Sequence, residues 1–126
     1  MKLFTIIEAN ELLPLIRPKL EQIRAHYKIL ASFRETVKAA AASAAQFGGG
    51  GMENGSLYVK SLYEVGRITT EIHQAGIQLK DYTRGLIDFP CMMNGRIVLL
   101  CWQLEEGDEI QWWHDLETGF AGRERL

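Results

Sequence analysis

Apolar positions first recur with a helical period at Leu13, Ile16, Leu20, Ile23, Tyr27 and Leu30, and, after Arg34, again at Val37, Ala41 and Ala44. The alternating spacings of three and four are those of a heptad seam. Just ahead, Thr5-Ile6-Ile7-Glu8 reads as a capping box, in which the Thr5 hydroxyl accepts the Glu8 amide and the Glu8 carboxylate reaches back, so a helix starts near Ile6. Pro14 and Pro18 lie one turn apart inside this pattern. Each removes a backbone donor and crowds the preceding turn. The sequence therefore predicts a kink or short break there, with a long straight helix from about Pro18 to Gln46. Residues 39–45 hold six Ala and Ser43, strong helix formers of little bulk that let a neighbouring helix approach. GGGGMENG at 48–55 ends the helix as a mobile loop and lacks the GK[ST] ending of a phosphate loop. A second helix is predicted from about Leu57 to Ala75, with Tyr58, Leu62, Val65, Ile72 and Leu79 near its seam and Gly76 as its C-cap. Residues 1–76 thus read as an antiparallel helical hairpin.

Beyond Gly76 the period becomes strand-like. Ile77 to Lys80 is a short strand candidate, and Leu86 to Met93 and Arg96 to Leu104 flank Asn94-Gly95. Asn-Gly between two apolar runs is the signature of a type I′ hairpin turn. Glu105 to Asp108 forms the next turn, Glu109 to His114 the last strand, and the remaining tail is read as irregular. With Asn94 and Gly95 as the turn, Cys91 faces Val98 and Asp88 faces Cys101; carried onward, Cys101 faces Trp112 and Leu99 faces His114. Side chains alternate between faces along a strand. One face then carries Asp88, Leu99, Cys101, Trp112 and His114; the more apolar one carries Ile87, Phe89, Val98, Leu100, Trp102 and Trp113 and should pack on the helices. Cys91 and Cys101 fall on opposite faces, which excludes a disulfide between them. The predicted fold is α+β: a long-helix hairpin packed with a three- or four-stranded antiparallel sheet, residues 1–126 forming a single domain with a β-meander in 77–126.

With 126 residues, 47% hydrophobic and 24% charged, the chain is of ordinary soluble composition. The net charge of −2 offers no basic excess for a nucleic-acid backbone. The charge is uneven: residues 1–63 hold 8 basic and 5 acidic side chains, residues 64–126 hold 6 and 11. Between Cys101 and Glu117 lie six acidic residues, no Lys or Arg, and all three Trp. That stretch suits a cationic or metal partner, or simply a solvated acidic rim. MKLFTIIEANE is not a signal peptide, and the uncharged run Ala39 to Met52 is too short to span a bilayer, so a cytoplasmic location with reduced cysteines is expected.

The densest polar cluster is His114-Asp115-Leu116-Glu117. His114 and Glu117, three apart, can both ligate a metal if the segment turns helically. Two ligands do not make a site, and a third has to come from Asp88, His73 or a second chain. Asp88 and His114 sit two strands apart, about 10 Å by strand spacing alone, far enough to share a ligand or a water but not a direct hydrogen bond. Cys101 beside Asp88 reads as a deactivated packing thiol, because an acidic neighbour raises a thiol's pKa. Solvated carboxylates at 105–109 make poor acids at neutral pH. GFAGR at 119–123 offers free amides and Arg123 as an anion clasp, against the plainer reading of a flexible tail. Asp88, Trp112, His114, Glu117 and Arg123 are therefore the candidate ligand-binding residues. No catalytic residue and no cofactor is predicted, a divalent metal being the one ion the pattern admits.

FTIIEANELLPLIRP at 4–18, GIQLKDYTRGLIDFP at 76–90, NGRIVLLCW at 94–102 and WHDLETGFAGR at 113–123 together resemble the bacterial family catalogued as domain of unknown function 2203. The resemblance spans nearly the whole chain and implies kinship of fold, with any site in the carboxy-terminal half; it implies no activity, substrate or catalytic residue. Residues 39–51 depart from it in being longer or looser.

Size bears on assembly. A domain of this length has a radius of gyration of roughly 14 Å, whereas a helix from Pro18 to Gln46 is roughly 43 Å long. Its seam would project into water, which points to a homo-oligomer, a two-fold dimer first of all. The expected function is that of a non-catalytic cytoplasmic interaction or scaffold protein, without nucleic-acid or membrane partners. The alternative is a small enzyme or a ligand- or metal-binding protein with its site on the polar sheet face.

Overall fold

A computed structural model describes residues 1–47 and 55–126, the side chains of 40 and 42–47 excepted. The expected mobile loop at 48–55 lies outside the described residues save for Gly55. Helix α1 spans Ile6–Phe47 and helix α2 Gly55–Gln74, followed by β1 (Gln78–Asp81), β2 (Leu86–Met93), β3 (Arg96–Trp102), β4 (Trp112–His114), a single 3-10 turn at Phe120–Gly122, and β5 (Glu124–Arg125). The strands form one antiparallel sheet in the order β1-β2-β3-β4-β5. The class is α+β as expected.

The capping box forms: the Thr5 amide donates to Glu8 Oε1 at 3.1 Å and the Glu8 amide to Thr5 Oγ1 at 3.0 Å. Helix α1 then runs through both prolines without the short break that the sequence admitted. A proline costs a helix one ladder bond and local strain. Here Ala9, Leu13, Ile16, Leu20 and Ile23 on both sides of the two rings are all buried, and that burial holds the helical path. Helix α2 ends in a Schellman arrangement, with the Gly76 amide on the His73 carbonyl and the Ile77 amide on the Ile72 carbonyl.

The helices run antiparallel. Lys19 pairs with Glu71 at 2.7 Å, His26 Nδ1 lies 3.1 Å from Ser61 Oγ, and the Phe33 and Tyr58 rings stack at 4.4 Å. The seam of α2 is phased differently from the expectation: Ser61, Val65, Ile68 and Ile72 are buried, whereas Leu62 points to solvent. A serine takes an inward position because His26 of α1 offers it a partner.

The hairpin register is as read. Asp88 pairs with Cys101 and Cys91 with Val98; Leu99 pairs with His114 and Cys101 with Trp112. Asn94 and Gly95 both take positive φ, as a type I′ turn demands. The helix-facing side supplies Ile87, Phe89, Val98, Leu100 and Trp102 to a core shared with α1 and α2. The tail adds a strand instead of remaining irregular, because Glu124–Arg125 pairs with Trp112 and Trp113 of β4. The acidic turn after β3 is drawn onto α1 by Arg17–Asp108 and Arg24–Glu105, each at 3.1 Å, and by the Ile110 amide on Asn10 Oδ1 at 2.7 Å.

Candidate functional site

The face of the sheet turned away from the helices carries the polar group that the register implied. Asp88 lies in β2, its partner Cys101 in the middle strand, and His114 at the end of β4. All three are buried, at 2%, 0% and 3% exposure. Their side chains meet: His114 Nε2 is 3.2 Å from Asp88 Oδ1. The expected separation of two strand spacings is thus bridged, since two side chains leaning over the middle strand close a gap that backbone spacing leaves open. The potential ligand atoms of Asp88, Cys101 and His114 all lie within 4.8 Å of one another.

The proton count in this group follows from its partners. His114 Nδ1 is 2.7 Å from the Asp115 carbonyl oxygen, which can only accept, so Nδ1 carries a hydrogen. One proton is left to share between Nε2 and Asp88 Oδ1. Burial raises the Asp88 carboxyl above its ordinary pKa, opposed first by the charge of His114. Burial, joined by the Asp88 charge, pushes the Cys101 thiol up to about 12. A thiol with that pKa is ionised in roughly one molecule in a hundred thousand at pH 7, so Cys101 is no free nucleophile. Cys91, on the helix-facing side, is also buried and also raised by burial. Native protein at neutral pH is expected to leave both thiols unreacted with an aromatic disulfide reagent over the time in which the denatured chain reacts at both. Stoichiometric modification of Cys101 in the folded protein would contradict this.

Arg123 borders the group. Its Nη1 lies 3.9 Å from Cys101 Sγ and is held by Glu106 at 2.8 and 3.1 Å. Its guanidinium carbon sits 4.0 Å from the centroid of Phe120 and 4.8 Å from that of Trp112. Arg84 also lies against Phe120, at 4.1 Å, and donates through Nε to Gln103. The tail thus closes beside the sheet through cation–π contacts and one half-buried ion pair. Gly122 is required in it by close approach, because a Cβ there would meet Thr118 Cβ at 2.5 Å. Beside this cluster opens a cleft of about 380 Å³ lined by Arg24, Thr83, Arg84 and Gln103, whose cationic side is matched by Glu105 and Glu106.

Of the residues expected at the site, Asp88 and His114 come into direct contact, and Trp112 and Arg123 stack beside them. Glu117 does not join: it is exposed, and the segment's other carboxylate, Asp115, pairs with Arg96 at 3.0 Å. The two-ligand combination of His114 with Glu117 is therefore replaced by His114 with Asp88 and Cys101. His73 is exposed and apart from the group. The sequence reading missed Cys101 as a member, although its register already set it opposite Asp88. It also missed Glu106 and Phe120, which no local pattern ties to the sheet.

Fold and site together define an α+β protein whose helical hairpin covers one side of a five-stranded antiparallel sheet and whose other side encloses an Asp–Cys–His group. A family model described as an uncharacterized conserved protein (DUF2203) matches residues 2–126, and the chain belongs to that family. No curated protein and no solved structure matches the chain.

Proposed function

We propose that this chain is a non-catalytic cytoplasmic interaction protein that acts as a homodimer joined through its helical hairpin. The observation that carries the reading is a second apolar stripe on α2, opposite the buried one. Val59, Leu62 and Tyr63 are 64%, 51% and 67% exposed and share one face of the helix with Gly66. Exposed apolar groups gathered on one face mark a surface meant to be covered. Gly66 has nothing within 4 Å of where its Cβ would stand, and a mid-helix glycine costs about 1 kcal/mol relative to alanine. Close approach of a second backbone gives that glycine a purpose.

The helix lengths support the same reading. At 1.5 Å per residue α1 is roughly 63 Å long and α2 roughly 30 Å. The contacts of Phe33 with Tyr58 and of His26 with Ser61 set the first residue of α2 beside a point about two-thirds of the way along α1. The last dozen residues of α1 therefore extend past α2, and Val37 there is 39% exposed. The cytoplasmic part of the reading rests on two free, buried cysteines on opposite faces of the sheet, which suit a reducing compartment. Among the described residues, no helix is long and apolar enough to cross a membrane.

Light scattering on the full chain at micromolar concentration is expected to give twice the subunit mass of 14.3 kDa. Leu62→Glu with Tyr63→Glu is expected to return the single-subunit mass with helix content retained. A wild-type chain that stays at the single mass throughout overturns the proposal.

A further inference from the structure

We propose that Asp88, Cys101 and His114 form a binding site for one divalent cation of the zinc type, clamping β2, β3 and β4 together. This goes beyond the interaction role above and stands on different observations.

The first is the donor set. A carboxylate oxygen, an imidazole nitrogen and a thiol sulfur are the three side-chain donors that zinc takes in proteins. They are gathered from three strands into one buried group whose ligand atoms lie within 4.8 Å. Among the described residues, no other His, Cys, Asp and Glu side chains meet in this way.

The second is spacing. Zinc–oxygen and zinc–nitrogen bonds of about 2.0 Å at a tetrahedral angle place the two ligand atoms roughly 3.3 Å apart. Asp88 Oδ1 and His114 Nε2 are 3.2 Å apart. The distance that now holds a shared proton is also one edge of a coordination tetrahedron, so an ion can replace the proton with little movement of either side chain. Closing the third ligand, with a zinc–sulfur bond of about 2.3 Å, draws the Cys101 sulfur inward by up to about 1.3 Å from the 4.8 Å limit.

The third is orientation. Metal-bound histidines commonly donate their other ring N–H to a carboxylate or a backbone carbonyl, which fixes the tautomer and aims the ligand nitrogen. The Nδ1 of His114 does this to the Asp115 carbonyl at 2.7 Å, leaving Nε2 aimed at Asp88.

The charges close as well. Binding releases the proton shared by Asp88 and His114 and the thiol proton of Cys101, so a carboxylate and a thiolate neutralise the dication. Arg123 stands 3.9 Å from the sulfur, where it can donate to a thiolate, and its own charge is met by Glu106 at 2.8 Å. Three protein ligands leave the fourth position to a water molecule.

The test uses cobalt(II) as the probe. The full chain is stripped with chelator, unfolded and refolded under reductant with cobalt(II) present, so that burial does not block entry. One cobalt per chain is expected, with tetrahedral visible bands and a thiolate-to-cobalt charge-transfer band in the near ultraviolet, both displaced by zinc. Cys101→Ser is expected to abolish the charge-transfer band. Cys91→Ser, with its thiol on the other side of the sheet, is expected to keep it. Asp88→Asn is expected to weaken binding at least tenfold while retaining the folded circular-dichroism spectrum. The site is refuted by a wild-type chain without the band, by a band that survives Cys101→Ser or vanishes in Cys91→Ser, or by undiminished affinity in Asp88→Asn. The wild-type chain and Cys91→Ser are by themselves enough to refute the site, so a variant that fails to fold leaves it falsifiable.

Discussion

Replacing His114 with alanine is expected to lower the unfolding free energy by about 3–5 kcal/mol, the usual cost of removing one partner of a buried ionisable pair. The imidazole is 3% exposed and is the group that chiefly offsets the burial of Asp88. Without it the Asp88 carboxyl, 2% exposed, must hold its proton in an apolar setting or admit water. The vacated ring volume adds a cavity cost of the same sign. Asp88→Asn should cost far less, near 1 kcal/mol, because the amide keeps the shape and donates to His114 Nε2. The double replacement Asp88→Leu with His114→Leu should recover most of the loss, since no buried polar group is then stranded. Urea unfolding of chelator-treated protein at one fixed concentration measures all three without a contribution from metal and with that of association held constant. If His114→Ala costs less than the asparagine variant, the pair does not hold the outer face together.

That pair also shows how far the sequence could be read. The Asn94-Gly95 turn set the register of β2 and β3, and the strand period then placed Asp88, Cys101 and His114 on one face, all of which the structure reproduces. The direct contact was missed because two strand spacings measure backbones, whereas Asp88 and His114 both reach over the short side chain of Cys101. Residues whose position depends on distant partners were harder. Glu124–Arg125 carries no apolar alternation and becomes a strand only because β4 offers an open edge. Leu62 looks like a seam residue by spacing, yet Ser61 takes the inward place through a contact with a residue 35 positions away. The local cost of the prolines in α1 is legible in the sequence, while the burial that keeps the helix continuous is tertiary.

The largest single loss on the helix-facing side is expected at Trp102, where truncation to alanine should cost about 3–5 kcal/mol. Trp102 is fully buried at the end of β3. Its indole N–H donates to the Gly107 carbonyl at 3.3 Å, and the same carbonyl accepts from Arg17 Nη2 at 2.6 Å. The Arg17 guanidinium lies over the indole at 5.4 Å and reaches Asp108 at 3.1 Å. One side chain therefore fills the core and fastens the acidic turn to α1. The Arg17–Asp108 and Arg24–Glu105 pairs are largely solvated and contribute little by themselves, so the turn rests mainly on the indole and on the bond from the Ile110 amide to Asn10. Trp102→Phe separates the two roles: it keeps most of the apolar contact, and the Gly107 carbonyl retains Arg17, so the loss should fall to about 1–2 kcal/mol. Hydrogen exchange should then show the Ile110 amide, bound to Asn10 Oδ1 at 2.7 Å, losing protection far more in the alanine variant than in the phenylalanine one. Equal losses in both variants would assign the turn's order to Arg17 and Asn10, and a loss below about 1 kcal/mol for alanine would place the centre of the core elsewhere.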